Sequence, residues 1–161
     1  MKRGIILVAM VVVAMFAACG GGGSGGDCTT AKAAAVQSYD AMGALVSDPA
    51  IQACFQLATP NCNCPGGGTA VADIPNFTVD LNDCKSAAGA TFDGQVTISQ
   101  DGTSINANMP TFDVCTNVVA TDIQTQSCGG TITGTCSGVN LTCTLGLDAN
   151  DPNVCTLTCN C

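Results

Sequence analysis

Cysteine is the one side chain with covalent chemistry that recurs throughout this 161-residue chain, 13 times in all. Twelve lie beyond residue 27: Cys28, Cys54, Cys62, Cys64, Cys84, Cys115, Cys128, Cys136, Cys143, Cys155, Cys159 and Cys161. Cys62-Asn63-Cys64 and Cys159-Asn160-Cys161 share a spacing that lets two thiolates chelate a soft metal. Neither has the two-residue gap of common zinc sites, and the chain has no His to complete a mixed site. An even set of cysteines in an exported chain reads instead as a closed framework of six disulfides. Spacing alone does not choose among the roughly 10,000 pairings that 12 cysteines allow. Within each Cys-X-Cys pair, the two residues are expected to bond to different partners.

Proton transfer and nucleophilic attack have little to work with. There is no His and no Glu, and Lys32 and Lys85 are the only basic residues beyond position 18. A Ser or Thr nucleophile needs a base, and both lysines read as surface residues. Asp101-Gly102-Thr103-Ser104 has the wrong order for the Asp-Thr/Ser-Gly motif of aspartic proteases and is expected to be a hairpin turn. The chain is therefore expected to be no enzyme and to carry no cofactor. Asp148, Asn150, Asp151 and Asn153 gather oxygen ligands in one loop and resemble a fragment of a calcium-binding loop. They lack the central Gly and final acidic ligand of the full motif, and Asp, Asn and Pro also make turns. Turn is the preferred reading, with a weak calcium-binding module as an alternative.

The first residues carry a different kind of information. Lys2 and Arg3 precede an apolar run from Ile5 to Phe16, and Ala17, Ala18, Cys19 and Gly20 follow. A run of that length suits a signal peptide and is well short of the roughly 20 residues of a membrane-spanning helix. Phe16, Ala17, Ala18 and Cys19 resemble the lipobox of bacterial lipoproteins, with Phe16 standing where Leu is usual. That resemblance implies cleavage before Cys19 and attachment of lipid to its sulfur. With a further acyl chain on the new amino terminus, the lipid alone suffices as a stable anchor. Gly20 follows the lipid-bearing Cys where an inner-membrane retention Asp stands in well-studied lipoproteins, so the outer membrane or cell surface is preferred. Ordinary secretion, with cleavage after Gly20, is the competing reading.

These residues need elements to hold them. Residues 1–18 read as the signal, 19–27 as the lipidated Cys and a Gly-rich tether, and 28–161 as a single cysteine-rich domain. Thr29 to Ser47 places Val36, Tyr39, Met42 and Val46 at helical spacing, with Thr29 or Thr30 as cap. A shorter helix starts with Asp48 as cap and Pro49 in its first turn, carrying Ile51, Phe55 and Ala58. Pro60 and the cluster Asn61 to Gly68 are expected to stop regular structure. After this the apolar period becomes two: Phe77, Val79 and Leu81, then Phe92, Val96 and Ile98.

A two-residue turn at Asp101-Gly102 would set Ile98 opposite Ile105, Val96 opposite Ala107 and Gly94 opposite Met109. A second hairpin at Ser137-Gly138 gathers Ile132, Gly134 and Cys136 with Val139, Leu141, Cys143 and Leu145. In the last strand, Cys155, Leu157, Cys159 and Cys161 face inward. The expected fold is α+β, an N-terminal helical pair followed by a disulfide-stapled antiparallel β-sheet. Only Tyr39, Phe55, Phe77, Phe92 and Phe112 are aromatic beyond the signal. Disulfides at about 2–4 kcal/mol each must compensate for so thin a core.

Lys32 and Lys85 stand against 12 Asp in the exported part, a formal −10. That balance argues against nucleic acid and against direct attraction to anionic headgroups. Outward positions of the late strands carry Thr131, Thr133, Thr135, Thr142, Thr144, Thr156 and Thr158. Thr142-Cys143-Thr144 resembles the short motif of one ice-binding family over three residues, with no regular repeat around it. Thr is also a favourable solvent-facing strand residue. The function expected is that of a cell-envelope lipoprotein, held to a membrane by its lipid, acting structurally or binding another envelope protein or a glycan. Thiol or metal binding through the Cys-X-Cys pairs is the alternative.

Overall fold

The computed structural model describes residues 27–57, 60–124, 127–149 and 155–161. The expected signal, Cys19 and the tether as far as Gly26 lie outside these residues, as do Ala58, Asn150, Asp151 and Asn153. Two helices, α1 (Cys28–Val46) and α2 (Pro49–Cys54), precede β1 (Asn61–Asn63), β2 (Thr69–Asp73), β3 (Thr78–Lys85) and β4 (Thr91–Ile98). Then come β5 (Ser104–Phe112), β6 (Cys115–Gln124), β7 (Gly129–Cys136), β8 (Val139–Leu147) and β9 (Cys155–Asn160). Among the described residues every strand pairs antiparallel with the next, giving one nine-stranded meander. This is the expected α+β arrangement, a helical pair followed by a disulfide-stapled antiparallel sheet.

Helix α1 lies against β6 to β9, and α2 against β1. The cap of α1 is Asp27 rather than Thr29 or Thr30: its Oδ1 accepts the Thr30 N–H at 3.3 Å, and the Thr30 hydroxyl donates to its other oxygen. Both threonines are thereby drawn into the first turn. The face buried by α1 also differs from the expected one. Ala31, Ala35, Ser38 and Leu45 are buried, whereas Val36, Tyr39, Met42 and Val46 are only half-buried. Small side chains let the helix backbone approach the sheet, and the larger ones pack at its flanks. Helix α2 begins as expected, with Asp48 Oδ1 accepting the Ala50 N–H at 2.8 Å and Pro49 in the first turn.

Regular structure does not stop at Asn61–Gly68. Asn61, Cys62 and Asn63 pair with Val71, Ala70 and Thr69, and the intervening glycines close the hairpin, the Cys64 N–H donating to the Gly68 carbonyl at 3.1 Å. Gly68 has φ +76°, and a Cβ there would lie 2.0 Å from the Asp83 carbonyl oxygen. The cluster is thus a turn packed against β3.

The β4–β5 hairpin keeps the expected pairs Ile98 with Ile105 and Val96 with Ala107. Its loop is wider than the two residues expected: the Ser99 N–H donates to the Ser104 carbonyl at 2.9 Å, and between them the Gly102 N–H closes a turn onto the Ser99 carbonyl at 2.8 Å. Gly94 does not pair with Met109. The register shifts between Asp93 and Gln95, leaving Gly94 in a bulge. The β7–β8 hairpin is as expected, with Cys136 opposite Val139, Gly134 opposite Leu141 and Ile132 opposite Cys143. Ser137 and Gly138 both have positive φ, as a two-residue primed turn requires.

Pleating separates two faces. One inward row runs Ala72, Val79, Val96, Ala107, Ala120, Ile132, Cys143, Cys159 from β2 to β9. Phe92, Met109, Leu81 and Leu141 join Ala31, Leu45 and Ile51 in the same core. Phe92 is fully buried and meets Phe112 edge to face, ring centroids 5.2 Å apart.

Between β3 and β7, each pair of neighbouring strands carries at least one register shift. Asp83, Asn117 and Asp122 sit at such shifts with φ near +50°, and Asp113 does so in the β5–β6 turn. Short Asp and Asn side chains tolerate this left-handed backbone better than longer ones. Asp27, Asp48, Asp73 and Asp101 accept backbone N–H bonds at caps and turns. Together these roles account for seven of the twelve Asp.

Candidate functional site

The cysteine framework is the densest chemical feature of the domain. All twelve cysteines beyond residue 27 are paired: Cys28–Cys161, Cys54–Cys62, Cys64–Cys84, Cys115–Cys136, Cys128–Cys155 and Cys143–Cys159. The two members of each Cys-X-Cys pair bond to different partners, as expected, although Cys161 lies just past β9 and is exposed rather than facing inward. Cys62 ties β1 to α2 and Cys64 ties the β1–β2 turn to β3. Cys159 ties β9 to β8, and Cys161 ties the end of β9 to the start of α1. The two Cys-X-Cys pairs therefore secure the two outermost strands, each to a helix and to a strand of the sheet.

In this oxidised form neither pair offers a thiolate. Among the described residues, no group of three or more His, Cys, Asp or Glu side chains is placed to hold a metal ion. Of the proposed calcium ligands only Asp148 is described; it follows β8 and is half-buried.

Lys85 is exposed at the end of β3, as expected, whereas Lys32 on α1 is half-buried. Ser38, which the sequence pattern does not mark out, is fully buried on α1. Its hydroxyl donates to Asp113 Oδ2 at 3.3 Å and lies 3.7 Å from Cys115 Sγ, fixing the helix to the β5–β6 corner. A small cavity of about 20 Å³ lies between Ala35 and Tyr39 of α1 and Phe112, Val118 and Leu157 of the sheet. It has room for roughly one water, far below the several hundred Å³ of a small-molecule site. Burial pushes the Tyr39 hydroxyl above its usual range, and the Asp40 charge adds to this.

The outward face presents a more extended feature. One row crosses all nine strands: Asn61, Val71, Asp80, Gln95, Asn108, Val119, Thr133, Thr142, Asn160. A second row on β6 to β9 reads Thr121, Thr131, Thr144, Thr158. Of the threonines expected to face outward, Thr133, Thr142, Thr144 and Thr158 are exposed and Thr131, Thr135 and Thr156 half-buried. Charge divides this face. Asp80 stands in the first row on β3, where Gln95 Nε2 donates to its Oδ1 at 2.8 Å, while the β6 to β9 positions of both rows are uncharged.

No helix among the described residues is long and apolar enough to cross a membrane. The chain matches no protein-family model, no curated protein and no solved structure.

Proposed function

We propose that the protein is a lipid-anchored component of a bacterial cell envelope whose domain acts structurally or binds another envelope component, without catalysis. One observation carries this reading: of 13 cysteines, the twelve beyond residue 27 are consumed by six bridges. Cys19, at the position where the lipobox resemblance requires a free sulfur, is the one left over. Closed bridges suit an oxidising compartment outside the cytoplasm, and two or more acyl chains on one terminus hold a protein stably at a bilayer. The uncharged outward rows of β6 to β9 are the surface this reading gives to a neutral envelope partner, a protein or a glycan. A lipid anchor at an outer membrane or cell surface places that surface within a tether's reach of the bilayer.

The test is detergent phase partitioning of the wild type and of Cys19→Ala expressed in a bacterium. The wild type is expected in the detergent phase and C19A in the aqueous phase or as uncleaved precursor. Identical partitioning of the two would remove the anchor.

A further inference from the structure

We infer that β9 is an association edge and that its occupant is a second copy of this chain, paired antiparallel across β9. The two ends of the meander are built differently. Both end strands are bridged to a helix, but β1 has only three residues and stands between Pro60 and Pro65. Such shortness and flanking proline are usual means of closing a sheet edge. Strand β9 has six residues, Cys-Thr-Leu-Thr-Cys-Asn, with no proline and no charge. No register shift interrupts its pairing with β8, or that of β8 with β7. The unshifted ladder of β7 to β9 thus ends on a longer edge strand without proline or charge.

The hydrogen-bond phase of β9 follows from its neighbours. Cys143 and Cys159 are direct opposites with Cα atoms 3.9 Å apart, the closer spacing of a pair that exchanges no backbone hydrogen bonds. The two-residue turn at Ser137-Gly138 gives the same phase, since Cys136 with Val139 must be a bonded pair and the alternation then reaches Cys143 facing β7. Thr156, Thr158 and Asn160 therefore bond to β8. The N–H and C=O groups of Cys155, Leu157 and Cys159 point away from it, and no further strand among the described residues pairs with them.

A second β9 meets these groups when outward-bonding residues face one another, and the one such register that uses all three on both strands is centred on Leu157. With Leu157 opposite Leu157 of the copy, Cys155 falls opposite Cys159, and both strands offer outward-pointing groups at each of those positions. Thr156 then stands opposite Thr158 on the outward face, extending the Thr row of β6 to β9, and the two Leu157 side chains meet on the inward face. Elsewhere, domains of formal charge −10 repel each other. This strand carries no charge, so the pairing brings no like charges face to face.

The test is the mass of the purified exported protein by light scattering, for the wild type, Leu157→Pro and Leu157→Ala. Proline at 157 removes only an edge-facing N–H and leaves the β8–β9 ladder bonds in place, whereas Ala keeps that N–H. The wild type and L157A are expected at the mass of two chains, and L157P, with all its bridges resistant to alkylation, at half that mass. A single-chain wild type at every concentration, or an L157P that keeps the doubled mass, would overturn the proposal. If L157P does not close its bridges, hydrogen exchange on the wild type decides. Leu157 and Cys159 amides that lose protection on dilution support the pairing, and rates independent of concentration refute it.

Discussion

Cys28, the first residue of α1, is bonded to Cys161, the residue after β9, so the bridge spans 133 positions and closes nearly the whole domain into one ring. Chain-entropy reasoning assigns such a long loop about 5 kcal/mol, against about 2.5 kcal/mol for the eight-residue separation of Cys54–Cys62. Replacing Cys28 and Cys161 together by Ser should therefore lower unfolding free energy more than replacing Cys54 and Cys62. Urea titrations of the two double variants measure the difference. An equal or reversed order would show that native-state contacts, rather than loop closure, set the worth of these bridges.

Gly94 of β4 and Gly146 of β8 belong to one sheet but to different backbone circumstances. Gly94 has φ +137°, and a Cβ there would stand 2.4 Å from the Asn108 carbonyl oxygen. Gly146 has open space around its Cβ position and an ordinary strand backbone. Gly94→Ala is expected to destabilise by about 3 kcal/mol through strain at the bulge. Gly146→Ala should be neutral or stabilising by about 0.5 kcal/mol. Thermal melts of the two variants check both signs.

Acid should weaken the β4–β5 hairpin. Asp101 Oδ1 accepts from the Ser99 hydroxyl at 2.6 Å and from the Thr103 N–H and hydroxyl at 3.1 and 2.8 Å. The Ser99 hydroxyl bond, followed by those from Thr103, holds the exposed Asp101 carboxyl down at about 2. A carboxylate whose folded pKa is depressed stabilises the fold above its unfolded value near 3.9 and loses that contribution as pH falls through its folded value. The Asp27 carboxyl is also lowered, chiefly by the Thr30 hydroxyl, and acts with the same sign. NMR titration of the Asp101 side chain should give a midpoint near 2 that returns toward the ordinary range in Ser99→Ala. A midpoint already in that range in the wild type would contradict the turn geometry.

Strong periodicity made most of this architecture legible. Alternation in Phe77–Leu81, Phe92–Ile98 and Ile132–Leu145 marks strands because one sheet face is buried, and the Ser137-Gly138 turn fixes its register locally. Strand β1 was hidden because three residues between prolines carry no period; its ladder comes from β2 and its hold from Cys54–Cys62. The bulges at Asp83, Asn117 and Asp122 were hidden for another reason: a polar residue on a strand reads as solvent-facing whether or not its backbone is left-handed. On α1, large residues drew attention to the wrong stripe, since contact with the sheet selects Ala31, Ala35 and Ser38 for smallness. Parity of the cysteines was readable from their number, but their partners were not. Pairs such as Cys64–Cys84 and Cys115–Cys136 depend on strand register established by the folded sheet.

The most direct test is the intact mass of the protein extracted from its native membrane, alkylated once without reduction and once after it. The account predicts a chain beginning at Cys19 with added lipid mass, no alkylation before reduction and twelve alkylated thiols afterwards. An unlipidated chain, or one with reactive thiols before reduction, would contradict it.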